Sequence, residues 1–334
     1  MTPKSTFNRR SLPWAAQLAM GLWIDGLFRP LVRTLERIHR AEGALGFIGA
    51  RQQRLEAKKN PFRGYIPGKQ DVFVMTYAKS GTNWMIQIAH QLIYEGKGEY
   101  DHLHSVVPWP DTQIMGPFMW RYAIPLKDAS DWMSAPHRKR VIKTHFNWEL
   151  LPYSEDARYI AVIRDPKDIF VSNYFFLRDG LFGPAMPTVD TWLNLYLSDR
   201  FMLGRSWAAN AAGYWAQRNR PNVRVVSFKS MKRDLRTTVL DVARFLDIRV
   251  PDAVIQEVCR RSSFEYMKRN DHKFGMGKMV LWRPEGTMIR KGSQGGSSEL
   301  LGPEKQRRID SYFMSELKRL GSDFPYEEFC DLAR

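Results

Sequence analysis

The chain has 334 residues, enough for one large core or two smaller ones, and is 44% hydrophobic and 26% charged, which excludes a disordered chain. A formal charge of +16 suits an anionic cosubstrate, an anionic membrane or a nucleic acid and does not choose among them. With only Cys259 and Cys330, no disulfide framework is written here, and a reducing, cytoplasmic setting is expected.

The charge is uneven, since residues 1–70 hold 13 Lys or Arg against 4 Asp or Glu. Behind Arg9 and Arg10, the apolar run Leu12 to Ile24 is interrupted by Gln17 and is too short for a comfortable membrane span. No small-x-small cleavage site follows it. From Pro30, read as a helix start, Leu31, Leu35 and Ile38 fall on one face while Arg33, Arg37 and Arg40 fall on the other. That is the pattern of a helix lying in a membrane surface; a helix packed on the protein body is the equal alternative. Residues 1–68 are therefore read as a basic helical extension, for which peripheral membrane contact through residues 12–40 and packing on the body stand as equal readings. A chain lacking about the first forty residues is expected to keep its chemistry. Arg51 to Lys59 is polar, a linker or a further helix.

Strand-like runs follow at 71–77, 139–144, 159–163 and 223–228, separated by helical stretches, an alternation that predicts a mainly parallel sheet. The first run leads through Tyr77-Ala78-Lys79-Ser80-Gly81-Thr82-Asn83-Trp84 into the helix-periodic segment Trp84 to Tyr94. Strand, turn and helix N-terminus make an anion cradle: backbone amides and the helix dipole face the ligand, Gly81 permits close approach, and Lys79 adds a mobile charge. No G-x-x-x-x-G-K-[S/T] occurs, so this is not the Walker loop of an ordinary ATPase. The third run leads likewise into Arg164-Asp165-Pro166-Lys167-Asp168, where Arg164 can fork onto a phosphate and Pro166 suits a helix's first turn.

The first loop resembles the 5′-phosphosulfate-binding loop of the cytosolic sulfotransferase family, with Ala78 in place of the usual proline and Asn83 in place of the second threonine. Arg164 to Phe175 is similar to that family's 3′-phosphate segment, Val141 to Phe146 to its K-T-H strand, Ser262 to Lys268 to its T-S-F-x-x-M-K, and Arg290 to Gly295 to its R-K-G-x-x-G. The resemblance runs from about Asp71 to the C-terminus. It implies an α/β fold related to P-loop NTPases over 69–334, a single domain whose mainly parallel sheet is flanked by helices.

The resemblance further implies transfer of a sulfuryl group from 3′-phosphoadenosine 5′-phosphosulfate (PAPS) to a hydroxyl, with no metal. His145 is then the general base and Lys79 neutralises the leaving phosphate. Lys143, two residues before His145 on the same strand, faces the same side. Ser80, Gly81, Thr82 and Asn83 hold the 5′-phosphate; Trp84 and Phe264 offer flat surfaces to adenine, and Phe228 stands where a tyrosine often does. Arg164, Ser172, Arg290, Lys291 and Gly292 form the 3′-phosphate site, with Ser262 in the adjoining block, and Ser172 restrains idle hydrolysis by competing for Lys79.

The family's D-W-K and dimerisation motifs are missing, which leaves oligomeric state open. Between His104 and Arg138, the residues Trp109, Met115, Phe118, Met119, Trp120, Tyr122, Trp132 and Met133 either line a pocket for a hydrophobic acceptor, an alcohol, phenol or lipid, or pack as a lid. No nucleic-acid partner is expected. The other histidines, His102 and His104 among them, are read as ordinary partly exposed residues, Lys167 and Lys268 as solvated. Two other functions stay open: a Mg²⁺-dependent phosphotransferase using the same cradle, and a basic membrane- or nucleic-acid-binding protein without turnover.

Overall fold

The four apolar runs form strands β1 (Asp71–Thr76), β2 (Arg140–Thr144), β3 (Arg158–Ile163) and β4 (Val223–Ser227). They pair in the order β2-β1-β3-β4, all parallel. The computed structural model describes residues 12–114, 126, 131–201, 206–275, 280, 283, 287–292 and 295–333. Every residue of β1 is buried, as a parallel strand covered on both faces must be. Val72 and Val74 point into one apolar cluster, Phe73 and Met75 into another, where Phe73 stacks on Tyr159 at 5.0 Å. The chain leaves β1 for β2 on one side and returns to β3 on the other. A ligand crevice forms at such a reversal, beyond the carboxyl ends of the strands.

The N-terminal segment comprises α1 (Trp14–Gly21), a π-helical turn (Leu22–Phe28), α2 (Arg29–Arg37) and α3 (Ala41–Lys58). Pro30 stands in the first turn of α2, as expected of a helix start, although α2 continues without a break from the π turn. The helix already runs from Trp14, and the wider π turn just before Pro30 accommodates a ring that would otherwise clash one turn back. Met20, Ile24, Val32 and Leu45 are buried. Polar ties fix the segment to the body: Arg29 Nε donates to the Leu181 carbonyl at 3.0 Å, Glu36 Oε1 accepts from the Thr188 amide at 2.9 Å, and Asn194 Nδ2 donates to Glu42 Oε2 at 2.9 Å.

The body continues with α4 (Thr82–Ile93), α5 (Pro166–Leu177), α6 (Val189–Tyr196), α7 (Trp207–Trp215) and α8 (Phe228–Arg233). Asp165 caps α5, accepting from the Lys167 amide at 2.8 Å. Lys167 itself is a correction to the sequence reading: it is 2% exposed, with its ammonium 3.3 Å from Asp165 and bonded to Asp310. The helix Pro303–Arg319 carries Asp310 over the first turn of α5, an arrangement local sequence does not encode. Lys268 is exposed as expected and donates to the Arg290 carbonyl at 3.1 Å.

Candidate active site

Beyond the carboxyl ends of β1, β2 and β3 lies a cavity of about 760 Å³, within the range of small-molecule sites. Ala78, Lys79, Gly81, Thr82, Asn83 and Trp84 line it from the first anion loop, and Lys143 and His145 from the end of β2. Arg164 and Ser172 come from β3 and α5, with Phe228, Phe264, Arg290, Lys291 and Gly292 closing the ring. Two expected residues lie behind this wall. Ser80 is fully buried and Ser262 likewise; the Ser262 carbonyl accepts from Trp84 Nε1 at 2.8 Å, and it is Ser263 that reaches the cavity. Ser293 and Gln294 of the R-K-G block fall outside the described residues.

The loop geometry depends on two left-handed residues. Gly81 has φ +94°, and a Cβ there would meet the Phe228 ring at 2.7 Å, so neither the backbone nor the space tolerates a side chain. Lys79 adopts φ +72°. Immediately after, α4 presents first-turn amides that have no intrahelical acceptor, and Thr82 Oγ1 bonds Thr76 Oγ1 at 2.6 Å. A helix start that gathers unpaired donors is a site for phosphate.

Five lysine and arginine side chains of the expected site line the cavity. Arg164 bonds the Lys79 carbonyl at 3.1 Å, pairs with Asp168 at 3.5 Å and lies 4.4 Å over the Phe228 ring. Lys79 Nζ rests 4.0 Å from the Phe176 ring centroid and 3.5 Å from Met288 Sδ. Burial, aided by Arg164, pushes the Lys79 ammonium down to about 7. Lys143 is 5% exposed, 3.5 Å over the Trp109 ring and 3.4 Å from His104 Nε2, and burial brings it to about 7 as well. Arg290 sits 4.2 Å over the Phe175 ring, and Glu299 pairs with it at 2.8 Å and with Lys291 at 3.0 Å.

His145 is held from two sides. Its backbone amide donates to Asp111 Oδ2 at 2.6 Å, and its Nδ1 lies 3.0 Å from the Thr76 carbonyl. A carbonyl only accepts, so Nδ1 carries the hydrogen and Nε2 is left as the basic nitrogen. Burial first, then the charge of Lys143, pushes the imidazolium down to about 3; the ring is neutral at pH 7. Trp109 meets it edge-on at 5.6 Å.

Asp111, Trp109 and His104 complete this wall. Asp111 carried no motif, and its role rests on a contact 34 residues away in sequence. His102 and His104 correct the sequence reading: each is 2% exposed, tucked in by the tight turn Leu103–Ser105. Of the stretch read as pocket lining or lid packing, Trp109 lines the cavity and Trp132 and Met133 do not, while Met115, Phe118, Met119, Trp120 and Tyr122 lie outside the described residues. The opposite wall was not anticipated. Ile48, Gln52 and Glu56, one face of α3, line the cavity. Among the described residues no group of three or more His, Cys, Asp or Glu has the spacing for a metal ion.

A parallel sheet that gathers basic side chains around one cavity at its carboxyl edge defines an α/β enzyme built for an anionic substrate. The family model of the sulfotransferase domain matches residues 69–321. Similar proteins include the amine sulfotransferase of Oryctolagus cuniculus, 29% identical over 78% of this chain and 84% of that protein. The 3-alpha-hydroxysteroid sulfotransferase of Cavia porcellus is 30% identical over 69% and 78% respectively. Among solved structures, retinol dehydratase in complex with androsterone and inactive cofactor PAP has TM-score 0.67 at 19% identity, covering 81% of this chain and 87% of that one. The chain belongs to the sulfotransferase family and is a PAPS-dependent sulfotransferase.

Proposed function

We propose that this enzyme moves the sulfuryl group of PAPS onto the hydroxyl of a hydrophobic small molecule, with His145 as general base. The observation that carries the reading is the commitment of His145 Nδ1 to the Thr76 carbonyl, which leaves Nε2 to take the acceptor's proton. The acceptor oxygen then bonds to sulfur as the bond from sulfur to the 5′-phosphate breaks, giving a sulfate ester and adenosine 3′,5′-bisphosphate. Lys79 is assigned to the departing phosphate, where a cation lowers the barrier by offsetting charge that grows in the transition state.

Ser172, Arg164, Arg290, Lys291 and Gly292 are assigned to the 3′-phosphate, and the Gly81–Asn83 turn to the 5′-phosphate. Trp84, Phe228 and Phe264 supply the aromatic surface for adenine. His145 is a weak base in the free site because burial first, and then the charges of Lys143 and Lys79, lower its proton affinity. An anionic donor favours the imidazolium directly, while the protons it draws onto Lys79 and Lys143 oppose that gain. Trp109 and Ile48 make the acceptor side apolar, in keeping with a relative named for a hydroxysteroid.

The test is a thermal-shift series. Adenosine 3′,5′-bisphosphate should stabilise the protein by about 2.7 kcal/mol at a hundred times its Kd, well beyond AMP or ATP at equal concentration. Equal shifts with AMP would remove the 3′-phosphate assignment.

A further inference from the structure

The N-terminal helices do more than brace the body. One position before the inward residues Ile24, Phe28 and Val32 stand Trp23, Leu27 and Leu31, which are 48%, 60% and 51% exposed. Trp14, Leu22, Ile38, Phe47 and Ile48 are further exposed apolar residues of the same N-terminal segment, the last two on α3. The row is not the packing face, since Met20, Ile24 and Val32 already fill that role. The equal alternatives of the sequence reading therefore combine: the segment packs on the body and still leaves a large apolar surface uncovered. Contiguous apolar surface of this kind marks an interaction site.

We infer that this row seats the enzyme on an anionic phospholipid bilayer, with the cavity mouth at the lipid surface. Three observations select that occupant. Arg33, Arg37, Arg40, Arg51, Arg54, Lys58 and Lys59 are all exposed on the same segment, complementing acidic headgroups. Trp23 lies in the apolar row and Trp14 is exposed on the same segment; tryptophan is the residue type that settles at the boundary between headgroups and hydrocarbon. Ile48 belongs to both surfaces: it is 44% exposed and also lines the cavity, so the exposed apolar surface of this segment reaches the acceptor wall. No described helix is long and apolar enough to cross a membrane, and a surface helix is the form such a row takes. A lipophilic hydroxyl dissolved in the bilayer then passes Ile48 and Gln52 into the cavity without crossing water. This last step rests on the acceptor reading above, while the seating itself does not.

The test is co-sedimentation of the full chain with phosphatidylcholine vesicles, with and without 30% phosphatidylserine, at low and high salt. Wild type should pellet with the anionic vesicles at low salt and be released as salt rises. The triple variant Trp23→Ser/Leu27→Ser/Leu31→Ser and, separately, Phe47→Ser should each bind those vesicles at least tenfold more weakly. Both should keep the wild-type thermal shift with adenosine 3′,5′-bisphosphate, which shows that the fold and nucleotide site are intact. Wild type remaining in the supernatant with anionic vesicles at low salt would overturn the seating. So would a wild-type dimer that the triple variant converts to monomer in sedimentation equilibrium, since the row would then cover a second copy. Full binding by Phe47→Ser would detach the cavity mouth from the bilayer. Absence of sulfuryl transfer to any alcohol would count against the acceptor reading and leave the vesicle result standing.

Discussion

Binding of adenosine 3′,5′-bisphosphate should take up protons. Lys79 and Lys143 both line the cavity, and burial holds each near 7 in the free enzyme. At pH 8 a group of pKa about 7 is charged in only about one molecule in eleven, whereas the ordinary lysine value of about 10.4 leaves it fully charged. A bound dianion favours the ammonium and moves each pKa back toward that value. Each lysine that responds then gains about 0.9 proton, so uptake lies between about one and two protons per nucleotide. The linkage has a definite sign. The free protein binds fewer protons than the complex above pH 7, so nucleotide affinity falls as pH rises from 7 toward 10. Calorimetric titrations at pH 8 in buffers of different ionisation enthalpy measure the uptake directly. It should shrink at pH 6, and Lys143→Met should remove up to half of it. Heats independent of buffer at pH 8 would refute the assignment of these lysines to the anion.

Three further expectations follow from particular contacts. Glu299→Gln frees Arg290 and Lys291 from a half-exposed pairing worth about 0.2–1 kcal/mol, so bisphosphate should bind up to a few-fold tighter by calorimetry. Weaker binding would mean that Glu299 positions the pair for the ligand. Lys167→Met leaves Asp165 and Asp310 buried without their cation and should cost about 3–5 kcal/mol, read by urea unfolding; a loss below 1 kcal/mol would contradict that role. The kcat profile should fall on the acid side, since the base works only when neutral. Because His145 is pushed below its usual 6.5 toward about 3, the midpoint of that limb should lie between those values, and a limb centred above pH 7 would point to another base.

Local chemistry was legible in the sequence wherever the signal was local. β1 and Gly81 lie within a few residues of each other, and the strand content, the turn residues and the helix period can be read in one window. The order of the strands was not among the sequence expectations; the placing of β2 and β3 on either side of β1, which brings Arg164 to the Lys79 carbonyl, is a tertiary arrangement. Contacts set by distant segments were not legible. Asp111 reaches His145 only because the turn at Pro110–Gln113 packs against β2. Lys167 is buried by a helix 143 residues further on. The π turn that runs into α2 just before Pro30 has no sequence signature of its own. Ile48, Gln52 and Glu56 escaped for a different reason: Gln52 and Glu56 lie in Arg51 to Lys59, read as a linker or a further helix, Ile48 lies just before it, and a face repeating every four residues declares itself only when a partner surface is known. The sequence expectation that chemistry survives loss of about forty residues still stands on the assigned residues, but α3 must be kept for the acceptor wall.

The central claim, sulfuryl transfer with His145 as base, is tested most directly by single-turnover transfer from ³⁵S-labelled PAPS to a lipophilic alcohol. Wild type and His145→Gln should be compared, with bisphosphate affinity measured on both. The label should move to the alcohol in wild type, and the rate should fall by about 10²–10⁴ in the variant, the usual worth of a general base, with affinity changed less than about twofold. Transfer at the wild-type rate by His145→Gln would contradict the account.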